Sequence, residues 1–297
     1  MGTRTTSIAA LLTCHNRKQS TLACLEALHR CALPAGYALD VYLVDDGSTD
    51  GTASAALDRF PAVRIIRGAG DLFWNRGMHT AFASAMQDGH SFYLWLNDDT
   101  FLDIGALKRL MFTYERVASV GQPYSIVVGS TRDARTGELT YGGVVRRSWW
   151  HPLRLRVIEP SSVPLRCDTF FGNCVLLPDR VARRVGNLDP VFTHSGGDTD
   201  YGFRARKKGC SIWVASGFLG TCARNPVDGT WEDPTLALRQ RWNKVREPKG
   251  LPPAEWVVIL RRQAPVLWPF YLVLPYARLV AGSVLSGFRR RWGGRSG

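Results

Sequence analysis

Three segments of this 297-residue chain place carboxylates where a ligand could meet them. YLWLNDDT (93–100) sets Asn97, Asp98 and Asp99 at the end of an apolar run, and LDVYLVDDGSTDGT sets Asp45 and Asp46 before a Gly/Ser turn. HSGGDTDYGFRARKKG carries Asp198 and Asp200 at the expected start of a helix. Adjacent carboxylates repel and are costly to bury unpaired, so they belong at strand ends where water, a cation or a ligand can neutralise them. Asx-capped turns and helix-dipole partners would use the same residues for structure alone. Read chemically, Asp45 or Asp46 accepts a hydrogen bond from a nucleobase imide or a ribose hydroxyl. Asp198 is a general base beside a substrate hydroxyl, Asp200 a supporting hydrogen-bond or ion-pair partner, and His194 a candidate neighbour of both. RGAGDLFWNRGMHTAF adds glycines at a helix start, where backbone can approach phosphate, and makes Arg76 the candidate contact to a diphosphate. It lacks the lysine of a P-loop and the GxGxxG order of a dinucleotide fold.

The elements that must hold these residues are legible from their patterns. Residues 7–13, 41–44, 62–68 and 92–96 read as strands, and 20–29, 52–60 and 77–88 as helices, so strand and helix alternate through the first third. That rhythm predicts a parallel α/β sheet, in which ligands bind outside the carboxyl ends of the strands. CHNR, DDGS and NDDT all fall there. From about residue 125 the strands SIVVGSTRD, LTYGGVV, DTFFGNCVLLP and CSIWVASGFLGT lack evenly spaced helices, which predicts a mixed sheet. A helix is expected from Pro178 to Val185, and another after the Gly-rich loop at 194–197. Beyond Asn225 the composition shifts to Trp, Pro and Arg, a candidate boundary.

Lys plus Arg outnumber Asp plus Glu by 38 to 25, for a formal charge of +13. The basic residues are mostly dispersed and match no RNA or DNA module, so no nucleic-acid partner is expected. The clearest clusters are Arg146–Arg147, Arg204 to Lys208, Arg261–Arg262 and Arg289 to Arg291, the last two flanking an apolar tail. That tail, interrupted by Pro265, Pro269 and Pro275, is too short and too broken to span a bilayer. It reads either as core packing or as an interfacial segment, with Trp268, Phe270, Tyr271 and Trp292 in the headgroup region and Arg on anionic lipid. Seven Cys without CxxC or zinc spacing are expected to be reduced thiols.

Taken in order, LLTCHNR, VDDGSTDGT, LWLNDDT and GGDTDYGFR resemble the signatures of family 2 glycosyltransferases, from about Ser7 to Thr221. The resemblance implies a GT-A, Rossmann-like fold: a mixed, mostly parallel sheet flanked by helices, over residues 1–225. Residues 1–120 would be its nucleotide-binding half and 121–225 its acceptor half, followed by a helical or interfacial tail (226–297). It also implies transfer of a sugar, with inversion, from a nucleotide diphosphate donor to a glycan or lipid-linked acceptor, usually with Mg²⁺ or Mn²⁺. A rhamnosyl or other deoxyhexosyl transferase of bacterial surface-glycan synthesis is the expected type. It would be cytoplasmic and peripheral on the inner face of the plasma membrane.

By this resemblance NDD stands for the family's DxD element, with Asn97 in the first Asp position, Asp98 near the donor ribose and Asp99 as metal ligand. Asp45 and Asp46 would hold the base, Thr13 and Asn16 would line the nucleotide pocket, and Asp198 is the matching catalytic Asp. Gly197 replaces the family's Glu, a departure expected to enlarge or reshape the acceptor side. The rivals are a sugar nucleotidyltransferase, although LLTCHNR lacks the expected glycine, and a non-catalytic basic protein binding nucleic acid or membrane.

Overall fold

The computed structural model describes residues 5–148, 150–151 and 153–293, with side chains to residue 282. The first third alternates as its pattern predicts. Strands β1 (Thr6–Cys14), β2 (Tyr37–Asp46), β3 (Arg64–Gly68) and β4 (Phe92–Leu96) are separated by helices α1 (Lys18–His29), α2 (Thr52–Arg59) and α3 (Phe73–Asp88). Then follow β5 (Phe101–Leu102), α4 (Ala106–Ser119), β6 (Ser125–Arg132), β7 (Leu139–Tyr141), β8 (Gly143–Arg146) and β9 (Leu155–Val157). The segment closes with β10 (Leu165–Arg166), β11 (Thr169–Phe170), β12 (Cys174–Pro178), α5 (Asp179–Val185), α6 (Gly197–Lys207) and β13 (Ser211–Thr221). Helices α7 (Leu238–Val245), α8 (Pro253–Gln263) and α9 (Trp268–Gly293) complete the described chain.

The main sheet runs β10-β13-β6-β12-β4-β1-β2-β3, with β5 on β13 and β7 on β6. β1 pairs in parallel with both β2 and β4, β2 with β3, and β13 with β6, while β12 is antiparallel between β4 and β6. β11, β8 and β9 form a small second sheet. Because β1 has β2 on one side and β4 on the other, the chain departs from β1 in both directions. A crevice opens at their carboxyl ends, the switch point of such sheets. Strand alternation fills both faces. Ile8, Ala10 and Leu12 join one buried cluster with Leu25, Leu107 and Leu110, while Ala9 and Leu11 join another with Phe82, Trp95 and Tyr201.

Three differences from the sequence expectation have local causes. β2 extends through Asp46, so Asp45 and Asp46 are strand residues that point to opposite faces. α3 begins at Phe73 instead of residue 77, because its N-terminus is capped from β2 and needs no cap residue of its own. α4, which the strand–helix reading missed, buries Leu107, Leu110, Met111, Tyr114 and Val117 at helical spacing.

The chain divides into two compact units, one up to Arg147 with Arg154–Arg224, the other Ser148–Leu153 with the residues from Asn225 on. In the second unit Pro265 falls in the break between α8 and α9, as expected, whereas α9 runs unbroken through Pro269 and Pro275. Pro269 lies in its first turn, where an absent N–H costs nothing, and Pro275 is accommodated in the interior. No described helix is long and apolar enough to cross a membrane. All seven cysteines are buried free thiols.

Candidate active site

The loops after β1, β2, β3 and β4 are tied into one assembly by side chains far apart in sequence. Asn16, with φ 51, adopts the left-handed conformation that Asn tolerates. Its amide N–H donates to Ser48 Oγ at 2.9 Å, and its Oδ1 accepts from the Thr49 amide at 2.7 Å. Asp50 caps two helices together, accepting from the Lys18 amide of α1 at 2.9 Å and from the Thr52 amide of α2 at 3.0 Å. Thr13 packs against Gly77 of α3, where an added Cβ would lie 2.2 Å from its hydroxyl.

The two carboxylates ending β2 have separate work. Asp46, 3% exposed, accepts the amides of Gly70, Leu72 and Phe73 at 2.8, 3.0 and 2.9 Å. It thereby caps α3 and holds Phe73 at φ 55, a conformation costly for an aromatic residue. Asp45, 1% exposed, accepts from Arg67 Nη1 at 2.7 Å and from the Ser48 amide at 3.0 Å.

At the end of β4 the carboxylates meet a cation that the sequence motifs left without a role. Arg17 forks across the pair, donating from Nη1 to Asp98 Oδ1 at 3.0 Å and from Nη2 to Asp99 Oδ2 at 2.7 Å. Burial pushes the Asp98 carboxyl up to about 7, with Arg17 opposing and Asp99 adding to the shift. Asp99 is the more open of the two, its side chain 21% exposed, and its Oδ1 faces the Cys222 thiol at 3.6 Å. Burial, reinforced by Asp99, pushes that thiol up to about 12, so it is protonated at neutral pH. Asn97 turns its Oδ1 to the Trp74 indole N–H at 2.7 Å.

Trp74 leads to the second half of the site. A Cβ on Gly172 would lie 2.5 Å from the Trp74 ring and 3.4 Å from Asp198 Cβ, so these three residues are packed in a row. Asp198, half-buried in the first turn of α6, accepts the Gly172 amide at 2.8 Å and its neighbour Thr199's amide at 2.6 Å. Burial raises its pKa above the ordinary carboxylate value, against the pull of those two amides. Asp200 is fully buried and paired with Arg204 at 2.8 Å, whose other nitrogens donate to the carbonyls of Val185 and Asn187. His194 stacks edge-on to Phe73 with ring centroids 6.2 Å apart.

One expected feature takes a different form. Gly197 leaves no open space, so it reshapes its surroundings instead of enlarging them: a Cβ there would lie 1.8 Å from Oδ1 of the fully buried Asn75, whose amide fills the space. Asn75 also donates to the carbonyls of Asp189 and Phe192, fastening α3 to the loop before α6. Arg76 directs its Nε to Pro190 O at 3.1 Å, on that same loop. Arg17, Arg67, Trp74, Asn75 and Gly172 were missed by sequence reasoning. For Arg17 a signal existed, a basic residue in one strand-end tetrad opposite an acidic tetrad in another. A cavity of about 500 Å³ lined by Tyr124, Arg166, Asp168 and Arg206 lies at the amino ends of β6 and β13, remote from these carboxylates.

The described residues contain no cluster of three or more His, Cys, Asp or Glu able to cage a metal ion. Asp99 nonetheless fits a divalent cation shared with a diphosphate. Mg²⁺ takes one or two carboxylates plus phosphate oxygens and water, and Asp99 is an accessible carboxylate at a strand end.

Known proteins resemble this chain in sequence and in fold. A search of curated proteins finds N-acetylglucosaminyl-diphospho-decaprenol L-rhamnosyltransferase of Mycobacterium tuberculosis, 27% identical over 202 residues. The match covers 60% of this chain and 64% of the relative. Among solved structures, GalNAc-T7 with UDP, GalNAc and Mn²⁺ superposes with a TM-score of 0.56 at 13% identity, over 71% of this chain and 41% of that one. S. aureus TarS 1–349 in complex with UDP gives 0.53 at 12% identity, over 85% and 69%. These likenesses establish the GT-A fold, a mixed and mainly parallel sheet flanked by helices. The sequence profile of Glycosyl transferase family 2 matches residues 10–177, from β1 through β12. With more than half of its length inside that match and its carboxylates at the strand ends, the chain belongs to glycosyl transferase family 2.

Proposed function

We propose that the protein is an inverting glycosyltransferase that moves a sugar from a nucleoside diphosphate donor to a hydroxyl of a lipid-linked glycan. The observation that carries this reading is Asp198, its carboxylate oriented by two main-chain amides and packed through Gly172 and Trp74 toward the Asn97–Asp99 strand end. In a single displacement the acceptor oxygen attacks the anomeric carbon and the bond to the diphosphate oxygen breaks. The acceptor proton passes to Asp198, whose raised proton affinity suits a base. Asp45 and its partner Arg67 border the base, with Thr13 and Asn16 shaping the nucleotide pocket and Asp98 near the ribose. Asp99 would hold Mg²⁺ or Mn²⁺, which would supply positive charge to the departing diphosphate. Arg76 would contact the donor diphosphate, and His194 and Gly197 would face the acceptor, where Asp200 and Arg204 keep α6 in place.

The rhamnosyltransferase relative makes a deoxyhexose donor and a polyprenyl-diphosphate sugar acceptor the first choices. The test is a donor screen, in which purified protein is supplied with nucleotide sugars, a lipid-linked N-acetylglucosamine acceptor and Mn²⁺ or Mg²⁺. Product mass should show one added sugar from one donor. Donor hydrolysis and transfer both absent across the panel would reject the reading.

The second unit supplies a way to reach such an acceptor. Phe270, Val273, Ala277 and Val280 follow one face of α9, with Phe270 and Val273 59% and 60% exposed, while Tyr271 and Leu279 on the opposite side are buried. No Asp or Glu follows Glu255, whereas Arg261, Arg262, Arg278, Arg289, Arg290, Arg291 and Arg295 do. An exposed apolar stripe within an all-cationic segment suits an anionic bilayer surface, where the protein is held peripherally. The side chains of Arg289 to Arg291 and Trp292 lie outside the described residues. Full-length protein should float with anionic liposomes and be released by about 0.5 M salt as screening shortens the Debye length. The double substitution Phe270→Glu, Val273→Glu should abolish flotation, and equal flotation would make the stripe irrelevant to membranes.

A further inference from the structure

We infer that Arg17 is the resident counter-cation of the Asp98–Asp99 pair and sets how weakly the site binds a divalent metal before the donor arrives. This inference rests on the reading of Asp99 as metal ligand. The fork engages both carboxylates at once, at 3.0 and 2.7 Å, and Asp98 has little other means of neutralisation, its side chain being 6% exposed. The Thr21 hydroxyl also donates to it, at 3.3 Å. Arg17 belongs to the loop after β1, whereas the carboxylates end β4, so the contact ties the two strand ends together.

The guanidinium and a divalent ion need the same charge. A cation binding Asp99 must take Oδ2 from Arg17 or approach an oxygen whose negative charge Arg17 already shares, with two positive groups then crowded together. Arg17 is 46% exposed and has a long stem, so it can leave Asp99. A diphosphate entering with the metal brings the extra negative charge that such a displaced guanidinium needs. The metal is therefore bound weakly alone and tightly with a nucleoside diphosphate, and Arg17 is the positioning residue that creates this difference.

The test is Mn²⁺ binding to the nucleotide-free full-length protein, read by the loss of the free-ion electron paramagnetic resonance signal. Arg17→Gln should tighten Mn²⁺ binding about tenfold, the scale of losing one charge-assisted hydrogen bond to the competing oxygen. Arg17→Lys should stay near the native affinity, because it keeps the charge while losing the fork. Adding Asp99→Asn to Arg17→Gln should remove the gain. Binding by Arg17→Gln no tighter than native, or none at all, overturns the inference, provided thermal melting shows the variant folded. If Arg17→Gln tightens binding but Asp99→Asn leaves the gain intact, the assignment of Asp99 is what fails. A gain in Arg17→Lys equal to that in Arg17→Gln would also overturn the inference, since geometry and not charge would then be the barrier.

Discussion

Asp198→Asn is expected to leave donor and metal binding intact and to lower sugar transfer by about two to four orders of magnitude, the range of general-base loss. Aspartate accepts the Gly172 and Thr199 amides on separate oxygens, whereas asparagine keeps one acceptor oxygen and turns its NH₂ toward the other amide. A modest drop in melting temperature should therefore accompany the loss of rate, and calorimetry with a nucleoside diphosphate separates the two effects. The native enzyme adds an independent signature. A base must be ionised to act, so activity falls as pH drops through the pKa of Asp198, and burial places that acid limb above the ordinary carboxylate range. Asp200→Asn should act differently, through stability, because Asp200 pairs with Arg204 at the back of α6. Near-native transfer by a folded Asp198→Asn protein would remove it from the mechanism.

Asp99→Ala should remove the dependence of nucleoside diphosphate affinity on Mn²⁺. Loss of one charged ligand contact is expected to weaken metal-linked binding by about 10- to 100-fold and to leave transfer barely detectable. Arg17 retains Asp98 as a partner in this variant, so the tie between the ends of β1 and β4 persists and the fold should survive. Titration of a nucleoside diphosphate with and without Mn²⁺ measures the effect directly. If the metal still tightens nucleotide binding in the variant, another group holds it. The Cys222 thiol, 3.6 Å from the same carboxylate, is then the first to replace.

The parts of the site legible in sequence are those set by local spacing. Apolar runs of four to seven residues before CHNR, DDGS and NDDT announced strands with polar carboxyl ends, and their alternation with helices announced a sheet whose ligands meet those ends. The helix carrying Asp198 was visible for the same reason: a Gly-rich turn, then carboxylates in a first turn, then basic residues in the last. What composition concealed was α4, whose helical spacing is clear but whose place after the NDDT loop breaks the simple strand–helix rhythm.

Tertiary structure alone decided what each carboxylate does. Asp45 and Asp46 are neighbours in one motif, yet strand alternation sends one to Arg67 and the other to the amides of the loop before α3. Arg17 is 81 residues from Asp98, and Trp74 is 23 from Asn97, so no window of sequence contains either contact. The Gly197 departure looked like added space, and the fold fills it with the Asn75 amide from another helix. Periodicity is a property of a single element and survives in the order of residues. Pairing, occupancy and charge balance are properties of elements brought together, and they exist only once β1, β2, β4, α3 and α6 share one end of the sheet.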